Sequence, residues 1–302
     1  MGSLQQIKNN AIFYLIKAAI TFFNRIPRSL AVFLGALSGY LAYLIFRQDR
    51  LKANHHLYMA FGDSLSPAQR KSIVRNVFIN FGGSAVDVAR LKKHYHDEVK
   101  GLIDFEGLEY FDAVYKRGRG IIAFTGHLGN FELMAAHIAN SGYKVAAIGR
   151  EMYDRRLNQL LIENRQLLNI AIIDTHDSPL KTMKLLKQGY AIGVLIDTDS
   201  FRVRSMFIPA FGRLSHTPIG QTIMGLRAGA GFVPAACIRQ GKRYKVVIRP
   251  EVTIERTGDF EKDVYNMTWK CTQALETLIT EYKDQWIWMH NRWLNRPQMP
   301  IE

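Results

Sequence analysis

Cysteine is scarce in this sequence, which contains two, Cys237 and Cys271, in 302 residues. The two lie 34 residues apart and do not have the spacing of metal ligands. Isolated thiols of this kind are ordinarily buried side chains, and their small number favours a reducing compartment.

Several motifs that would define a site are also missing. No GxxxxGK[ST] occurs, so the sequence has no phosphate loop for a nucleotide. Ser84 lies in FGGSAVD, which lacks the second glycine of a nucleophile elbow. His94 and His96 stand beside acidic residues, but a charged helix end accounts for them more simply than a metal site. There is no internal repeat and no low-complexity linker.

Acidic residues are outnumbered, with 26 against 40 basic ones and a net charge of +14. This excess favours an anionic partner, which is either nucleic acid, an acidic membrane surface or a phosphorylated substrate. No RNA-binding or helix-turn-helix pattern supports nucleic acid. Hydrophobic residues make up 48% of the chain, as in a packed globular protein.

Two apolar runs near the amino terminus predict a membrane anchor within residues 1–49. The first, 11–23, carries one charge, and the second, 29–46, carries none over eighteen residues. Eighteen residues are at the lower limit for crossing a bilayer, and a pair of core helices is the alternative. Gly35 and Gly39 form a GxxxG pattern that predicts close packing of the second helix on protein, so the first run is expected to meet lipid.

Residues 50–302 are predicted to form one α/β domain with a mainly parallel central sheet flanked by helices. Short apolar runs, typical of buried parallel strands, alternate with helical patterns near 130–140, 153–167 and 178–188. The predicted strands are 120–124, 143–148, 170–174 and 190–197. Residues 231–252 predict a hairpin, and a helix of about 25 residues follows. A capping box at Ser66 to Gln69 predicts the start of another helix.

The stretch FTGHLGNFELMA, residues 124–135, falls between a predicted strand and a predicted helix. Ligands of open α/β sheets bind at this edge. Gly126 and Gly129 keep the turn free of bulk, and Asn130 is the expected N-cap. His127 is a candidate base and Glu132 a candidate carboxylate that orients it, although an ordinary polar turn has the same composition.

GHLGNFE resembles the HxxxxE motif of the bacterial lipid A late acyltransferases, which transfer lauroyl and myristoyl groups. These enzymes are part of the lysophospholipid acyltransferase superfamily, whose usual motif is HxxxxD. The similarity covers nearly the whole chain, since further segments follow in the family's order. They are the linking stretch from Arg50 to Gly82, IGR ending at Arg150, LIDTD (195–199), MFIPAFGR (206–213), SHTP (215–218), GAGFVPAACIR (229–239) and WMHNRWLNRP (288–297).

The resemblance implies a glycerolipid-acyltransferase-like fold and a direct acyl transfer without metal or cofactor. His127 is the implied general base for a lipid hydroxyl, Glu132 its orienting partner, and acyl carrier protein the common acyl donor. Arg150 or the backbone N–H groups of 126–130 are candidate donors to the oxyanion. The other candidate substrate-binding residues are Asp197, Asp199, Arg202, Arg204 and Arg213, and a solvated basic loop is the alternative for the three arginines.

The expected function is therefore O-acylation of a lipid A precursor at the cytoplasmic face of the bacterial inner membrane. Acylation of another anionic glycolipid, such as a phosphatidylinositol mannoside, is the alternative within the superfamily. A non-enzymatic basic protein that binds membranes through charge is the alternative from another class.

Overall fold

A computed structural model of the chain describes residues 2–149, 154–174 and 177–294. Three helices come first, α1 (Gly2–Phe23), α2 (Arg28–Ile45) and α3 (Arg47–Phe61). A fourth, α4 (Pro67–His94), begins at the predicted capping box, in which Ser66 N donates to Gln69 Oε1 at 2.7 Å and Gln69 N donates to Ser66 Oγ at 3.3 Å. Pro67 follows as the first helical residue, where its missing N–H costs no hydrogen bond.

Helix α2 packs against α4, as the GxxxG pattern predicts. A Cβ atom built on Gly35 would lie 2.7 Å from the carbonyl oxygen of Gly82, and one on Gly39 would overlap the carbonyl oxygen of Phe78. The backbones of the two helices therefore touch, which no residue larger than glycine permits at these positions. Of the described residues, α2 is the one helix long and apolar enough to cross a membrane, and 22% of it is buried.

Charged side chains join the same helices to the sheet. The Asp87 carboxylate on α4 is buried and accepts from Arg28 at 2.9 Å and from Arg239 at 2.9 Å. Arg90, also buried, donates to the carbonyl oxygen of Ile26 at 2.9 Å. Each of these buried charged groups has a hydrogen-bond partner, which offsets the cost of burying the charge. The contacts therefore fix α2 in position on α4.

A seven-stranded sheet forms the centre of the described part of the chain, in the order β1-β9-β8-β2-β5-β3-β4. The strands β8 and β9 pair antiparallel and all other neighbours pair parallel. A separate antiparallel hairpin consists of β6 and β7. The strands are β1 (Ile103–Glu106), β2 (Ile121–Thr125), β3 (Val145–Gly149), β4 (Ile170–Asp174), β5 (Ala191–Leu195), β6 (Ser205–Ala210), β7 (Arg213–Pro218), β8 (Gly231–Gln240) and β9 (Arg243–Ile248).

Helices connect the parallel strands and cover the sheet, and the two faces bury two separate hydrophobic clusters. These helices are α5 (Leu108–Tyr115), α6 (Phe131–Ala139), α7 (Arg155–Leu167), α8 (Pro179–Lys187), α9 (Gly220–Ala228) and α10 (Phe260–Glu281). The α/β prediction and the predicted strands and helices are confirmed to within a few residues. The short edge strand β1 and the β6–β7 hairpin were not predicted. In β1, apolar and acidic residues alternate over only four positions, β6 contains Pro209, which is unfavourable inside a sheet, and β7 is mostly polar. Cys237 and Cys271 are buried free thiols.

Candidate active site

Parallel pairing of β2 with β5 brings together two loops that are distant in sequence. Thr125 and Leu195 are register partners at the ends of these strands. His127 lies two residues beyond Thr125, and Asp197 two residues beyond Leu195. Because both strands run in the same direction, the two side chains meet at the carboxyl edge of the sheet, where ligands of α/β folds bind.

A hydrogen-bonded dyad links the two side chains. The Nδ1 atom of His127 lies 2.9 Å from Oδ1 of Asp197, and the backbone N–H of His127 donates to Oδ2 at 2.6 Å. Trp286 Nε1 donates to the same Oδ2 at 2.8 Å. A carboxylate accepts and does not donate, so Nδ1 carries a proton and Nε2 is left as the basic nitrogen. The Asp197 side chain is 1% exposed and that of His127 is 28% exposed, so the histidine is the member of the dyad that faces outward.

The electrostatic environment of the dyad favours a charged pair. Burial acts to lower the pKa of His127, but the charge and the hydrogen bond of Asp197 outweigh burial and raise the pKa above its usual 6.5. Burial acts to raise the pKa of Asp197, but the charge of His127 and its hydrogen bonds hold this pKa well below the usual 3.8. The aspartate therefore stays ionised and stabilises an imidazolium when His127 accepts a proton.

The turn that carries His127 is shaped as the sequence indicates. A Cβ on Gly126 would lie 2.7 Å from Oδ2 of Asp197, so a larger residue would displace the carboxylate. Gly129 has a φ of +61°, in the left-handed region that favours glycine. Asn130 caps α6 by accepting from Leu133 N at 3.1 Å, as predicted.

Glu132 differs from its expected arrangement. It lies in the first turn of α6, as predicted, but its carboxylate forms a two-pronged ion pair with Arg165 of α7, at 2.6 and 3.1 Å. The Nδ1 atom of His127, which an orienting carboxylate would bind, is occupied by Asp197. The orienting contact assigned to Glu132 is thus made by Asp197, because Glu132 points sideways from its helix to α7 and not back to the turn.

The backbone N–H groups expected to bind the oxyanion are largely engaged. His127 N donates to Asp197, Gly129 N to the carbonyl oxygen of Gln285 at 3.0 Å, and Asn130 N to that of Cys237 at 2.8 Å. These three groups therefore hold the loop in place and are not free to bind substrate. Arg150, the other candidate donor, lies outside the described residues.

The predicted substrate-binding residues separate into two groups, the two aspartates at and just beyond the dyad and the three arginines that follow them in the chain. Asp197 is enclosed behind His127, with both oxygens bonded, which is a position for orienting the histidine and not for contacting substrate. Asp199 is partly buried just beyond it. Arg202 is exposed, Arg204 forms an exposed ion pair with Glu261 at 2.6 Å, and Arg213 donates to the carbonyl oxygen of Met59 at 3.2 Å.

A segment near the carboxyl terminus, residues 285–293, closes the site from behind. His290 Nε2 lies 2.9 Å from the carbonyl oxygen of Asp197, and its ring centre is 5.6 Å from that of His127. Arg292, which is 3% exposed, donates to the carbonyl oxygen of Thr198 at 3.2 Å. Trp286, His290 and Arg292 were missed as site residues, although the tryptophan-rich sequence WMHNRW marks part of the segment.

The fold and the dyad define an α/β protein that holds a carboxylate-backed histidine at the carboxyl edge of its sheet, an arrangement suited to acid–base chemistry. Comparison with known proteins identifies the family. Residues 4–295 match the model of the bacterial lipid A biosynthesis acyltransferases, and the chain belongs to that family. The protein is thus an acyltransferase, and the resemblance found in its motifs is confirmed.

Individual relatives are distant but similar along most of their length. The chain is 22% identical over 276 residues to the lipid A biosynthesis palmitoleoyltransferase of Escherichia coli (strain K12), covering 90% of this chain and 88% of the relative. It is 22% identical over 262 residues to the lipid A biosynthesis myristoyltransferase of the same organism, covering 85% and 77%. A lipid A biosynthesis acyltransferase of Shigella flexneri matches with 22% identity over 276 residues, covering 90% and 88%.

Proposed function

We propose that this protein transfers a fatty acyl chain from acyl carrier protein to a hydroxyl group of a lipid A precursor. The observation that carries the proposal is the His127–Asp197 dyad in a chain of the lipid A acyltransferase family. In this dyad Nδ1 of His127 lies 2.9 Å from Oδ1 of Asp197, and Nε2 is left as the base. The relatives named for lipid A biosynthesis support the acceptor.

In the proposed reaction, Nε2 of His127 takes the proton of the acceptor hydroxyl as its oxygen attacks the thioester carbonyl carbon. The C–O bond forms, the tetrahedral intermediate collapses, and the C–S bond breaks. The imidazolium then returns the proton to the departing thiolate, so that an ester and a free thiol result. Asp197 lowers the energy of the imidazolium throughout, because it is an ionised carboxylate in a buried position.

Glu132 has a positional role in this proposal. Its ion pair with Arg165 joins α6, which follows the His127 turn, to α7, which precedes β4. Both side chains are mostly buried, with 14% and 11% exposure, so the pair restrains the two helices more strongly than a surface pair does.

The acceptor phosphates are assigned to the basic loop after Asp199. Arg202 is exposed there, and the ion pair of Arg204 with Glu261 is itself exposed, so a phosphate can replace the glutamate at little cost. Asp199, Arg213 and Arg150 remain proposed members of the same binding region.

Residues 1–49 are proposed as the part that associates with the inner membrane, and 50–302 as the catalytic domain at its cytoplasmic face. Exposed apolar side chains on α1 and α2, among them Leu15, Phe22 and Phe33, support this arrangement. A cytoplasmic face is required because the acyl thioester reaches the enzyme from the cytoplasm.

The test is transfer of a labelled acyl chain from acyl carrier protein to a purified lipid A precursor by the full chain in detergent. We expect His127→Ala to lower kcat by roughly 10²–10⁴-fold, the usual contribution of a positioned base. His96→Ala, at an exposed histidine, is the matched control and should retain the wild-type rate. Wild-type activity in His127→Ala would contradict the mechanism, and no transfer by the wild-type chain on any lipid would favour a binding protein.

A further inference from the structure

A groove of about 780 Å³ lies between α2, α3 and α4, and none of the active-site dyad lines it. Its walls combine aromatic, cationic and neutral polar side chains. They include Tyr40, Tyr43, Arg50, Asn54, Lys71 and Arg75. Three of them are cations, and no carboxylate lines the groove in the part of the chain that the structure describes. The lining thus favours an anion.

The three cations are held differently. Arg50 donates from Nη1 to the carbonyl oxygens of Tyr43 at 2.6 Å and Leu44 at 3.1 Å, and its guanidinium lies 5.0 Å from the ring centre of Tyr43. These contacts fix its position at the end of α2. Lys71 and Arg75 are exposed one turn apart on α4, and neither pairs with a carboxylate among the described residues. Their charges are therefore not neutralised by the protein.

An exposed apolar stripe on α2 leads to the groove. Five exposed side chains recur at intervals of three or four residues, so they share one face of the helix. They are Leu30, Phe33, Leu37, Leu41 and Leu44, with exposures of 42–62%. The opposite face, with Ala31, Gly35 and Gly39, packs on α4. A contiguous exposed stripe of this kind marks a surface that contacts lipid or protein.

We propose that this groove binds the phosphodiester head group of an anionic membrane phospholipid, whose acyl chains lie along the stripe. The two observations together select this occupant, because a free phosphate leaves the stripe uncovered, and a lipid without net negative charge leaves the charge of the cations unneutralised. The site is separate from the catalytic one. Helix α3 lies between them, with Arg50 and Asn54 on the groove and His56 bonded to the carbonyl oxygen of Trp288 at 2.7 Å.

This inference does not rest on the proposed reaction, since it concerns a surface away from His127. A lipid bound there sets the depth of α2 in the membrane. Because α2 is fixed on α4, the bound lipid also sets the distance of the catalytic domain from the bilayer surface.

The experiment is native mass spectrometry of the full chain in non-ionic detergent, titrated with phosphatidylglycerol or with phosphatidylcholine of the same acyl chains. Wild type should retain one phosphatidylglycerol in preference to phosphatidylcholine. Lys71→Gln/Arg75→Gln should weaken the retention of phosphatidylglycerol about 30-fold and leave that of phosphatidylcholine unchanged. Each cation near an anionic lipid strengthens binding about five- to sixfold, and the two factors multiply.

Lys184→Gln/Lys187→Gln is the matched control, because it removes two exposed lysines of α8 outside the groove and should keep wild-type selectivity. Equal retention of the two lipids by wild type, or an equal loss in both double variants, would overturn the proposal. So would competition by glycerol 3-phosphate as strong as that by the lipid, which would indicate a free-phosphate site. A fourth refuting outcome is loss of binding to acyl carrier protein in Lys71→Gln/Arg75→Gln while lipid retention is unchanged.

Discussion

Replacing Asp197 by asparagine tests the central feature of the site with little change in shape. The carboxylate accepts from Nδ1 of His127 through Oδ1, and from His127 N and Trp286 Nε1 through Oδ2. Asparagine has one accepting oxygen and one donating amide. If the oxygen keeps its two donors at the Oδ2 position, the amide faces Nδ1, which must then be the unprotonated nitrogen.

The magnitude follows from this reversal of the tautomer. With Nδ1 unprotonated, Nε2 carries the proton and no longer acts as a base. We expect kcat to fall by up to about 10⁴-fold, the loss that the same change of tautomer causes in serine proteases. Loss of a charged hydrogen bond costs roughly 1.5–3 kcal/mol of stability, less than the roughly 5–15 kcal/mol that keeps a domain folded, so the variant should still fold.

The assay is the acyl-transfer rate measured as a function of pH. In wild type, kcat/KM should fall as pH decreases through a pKa above 6.5, since Asp197 raises the pKa of His127. In Asp197→Asn the fall of the remaining activity at acid pH, the acid limb of the profile, should move to a lower pH, because the charge that raises the pKa of His127 is gone. Trp286→Phe removes one donor without reversing the tautomer and should lose much less activity. A wild-type rate or an unmoved acid limb in Asp197→Asn would refute the reasoning.

Three further predictions concern stability. Glu132→Gln and Arg165→Gln should each lower the free energy of unfolding by roughly 1–3 kcal/mol, with a clear coupling in a double-mutant cycle by urea denaturation. Gly39→Val should cost about 1–3 kcal/mol or more, because its side chain would meet the Phe78 carbonyl of α4. The free energy of unfolding of wild type should exceed that of His127→Gln by its full difference below pH 6.5. This difference should decline as pH rises through the raised pKa of His127, as measured by urea denaturation of both proteins at each pH.

Matched variants separate these effects from general damage. Arg204→Gln breaks an exposed ion pair and should change the free energy of unfolding by less than about 1 kcal/mol. Gly101→Ala adds a methyl group where nothing lies within 4 Å and should be neutral. Equal losses of unfolding free energy in Arg204→Gln and Arg165→Gln would contradict the role given to the buried ion pair. Equal losses in Gly101→Ala and Gly39→Val would contradict the close packing of α2 on α4. A difference between wild type and His127→Gln that is constant from pH 5 to 9 would exclude the pH linkage.

Much of the site's scaffold could be predicted from local patterns. The apolar run before Gly126 predicted β2, and Asn130 predicted the start of α6, because both depend on neighbouring residues. The position of His127 in the turn between them follows from these two. Gly35 and Gly39 predicted the close packing of α2, although not that its partner is α4.

The amino-acid sequence by itself determined the α/β class, the helix and strand positions, and the place of the histidine, since these depend on short-range backbone preferences and hydrophobic spacing. Only the tertiary structure decided which carboxylate serves His127. Asp197 is 70 residues away in sequence, and it reaches the histidine because β5 is the neighbour of β2 in the sheet. Glu132 is close in sequence, but its helix directs it to Arg165. Strand order and side-chain direction depend on how the whole core packs, and no local pattern specifies them.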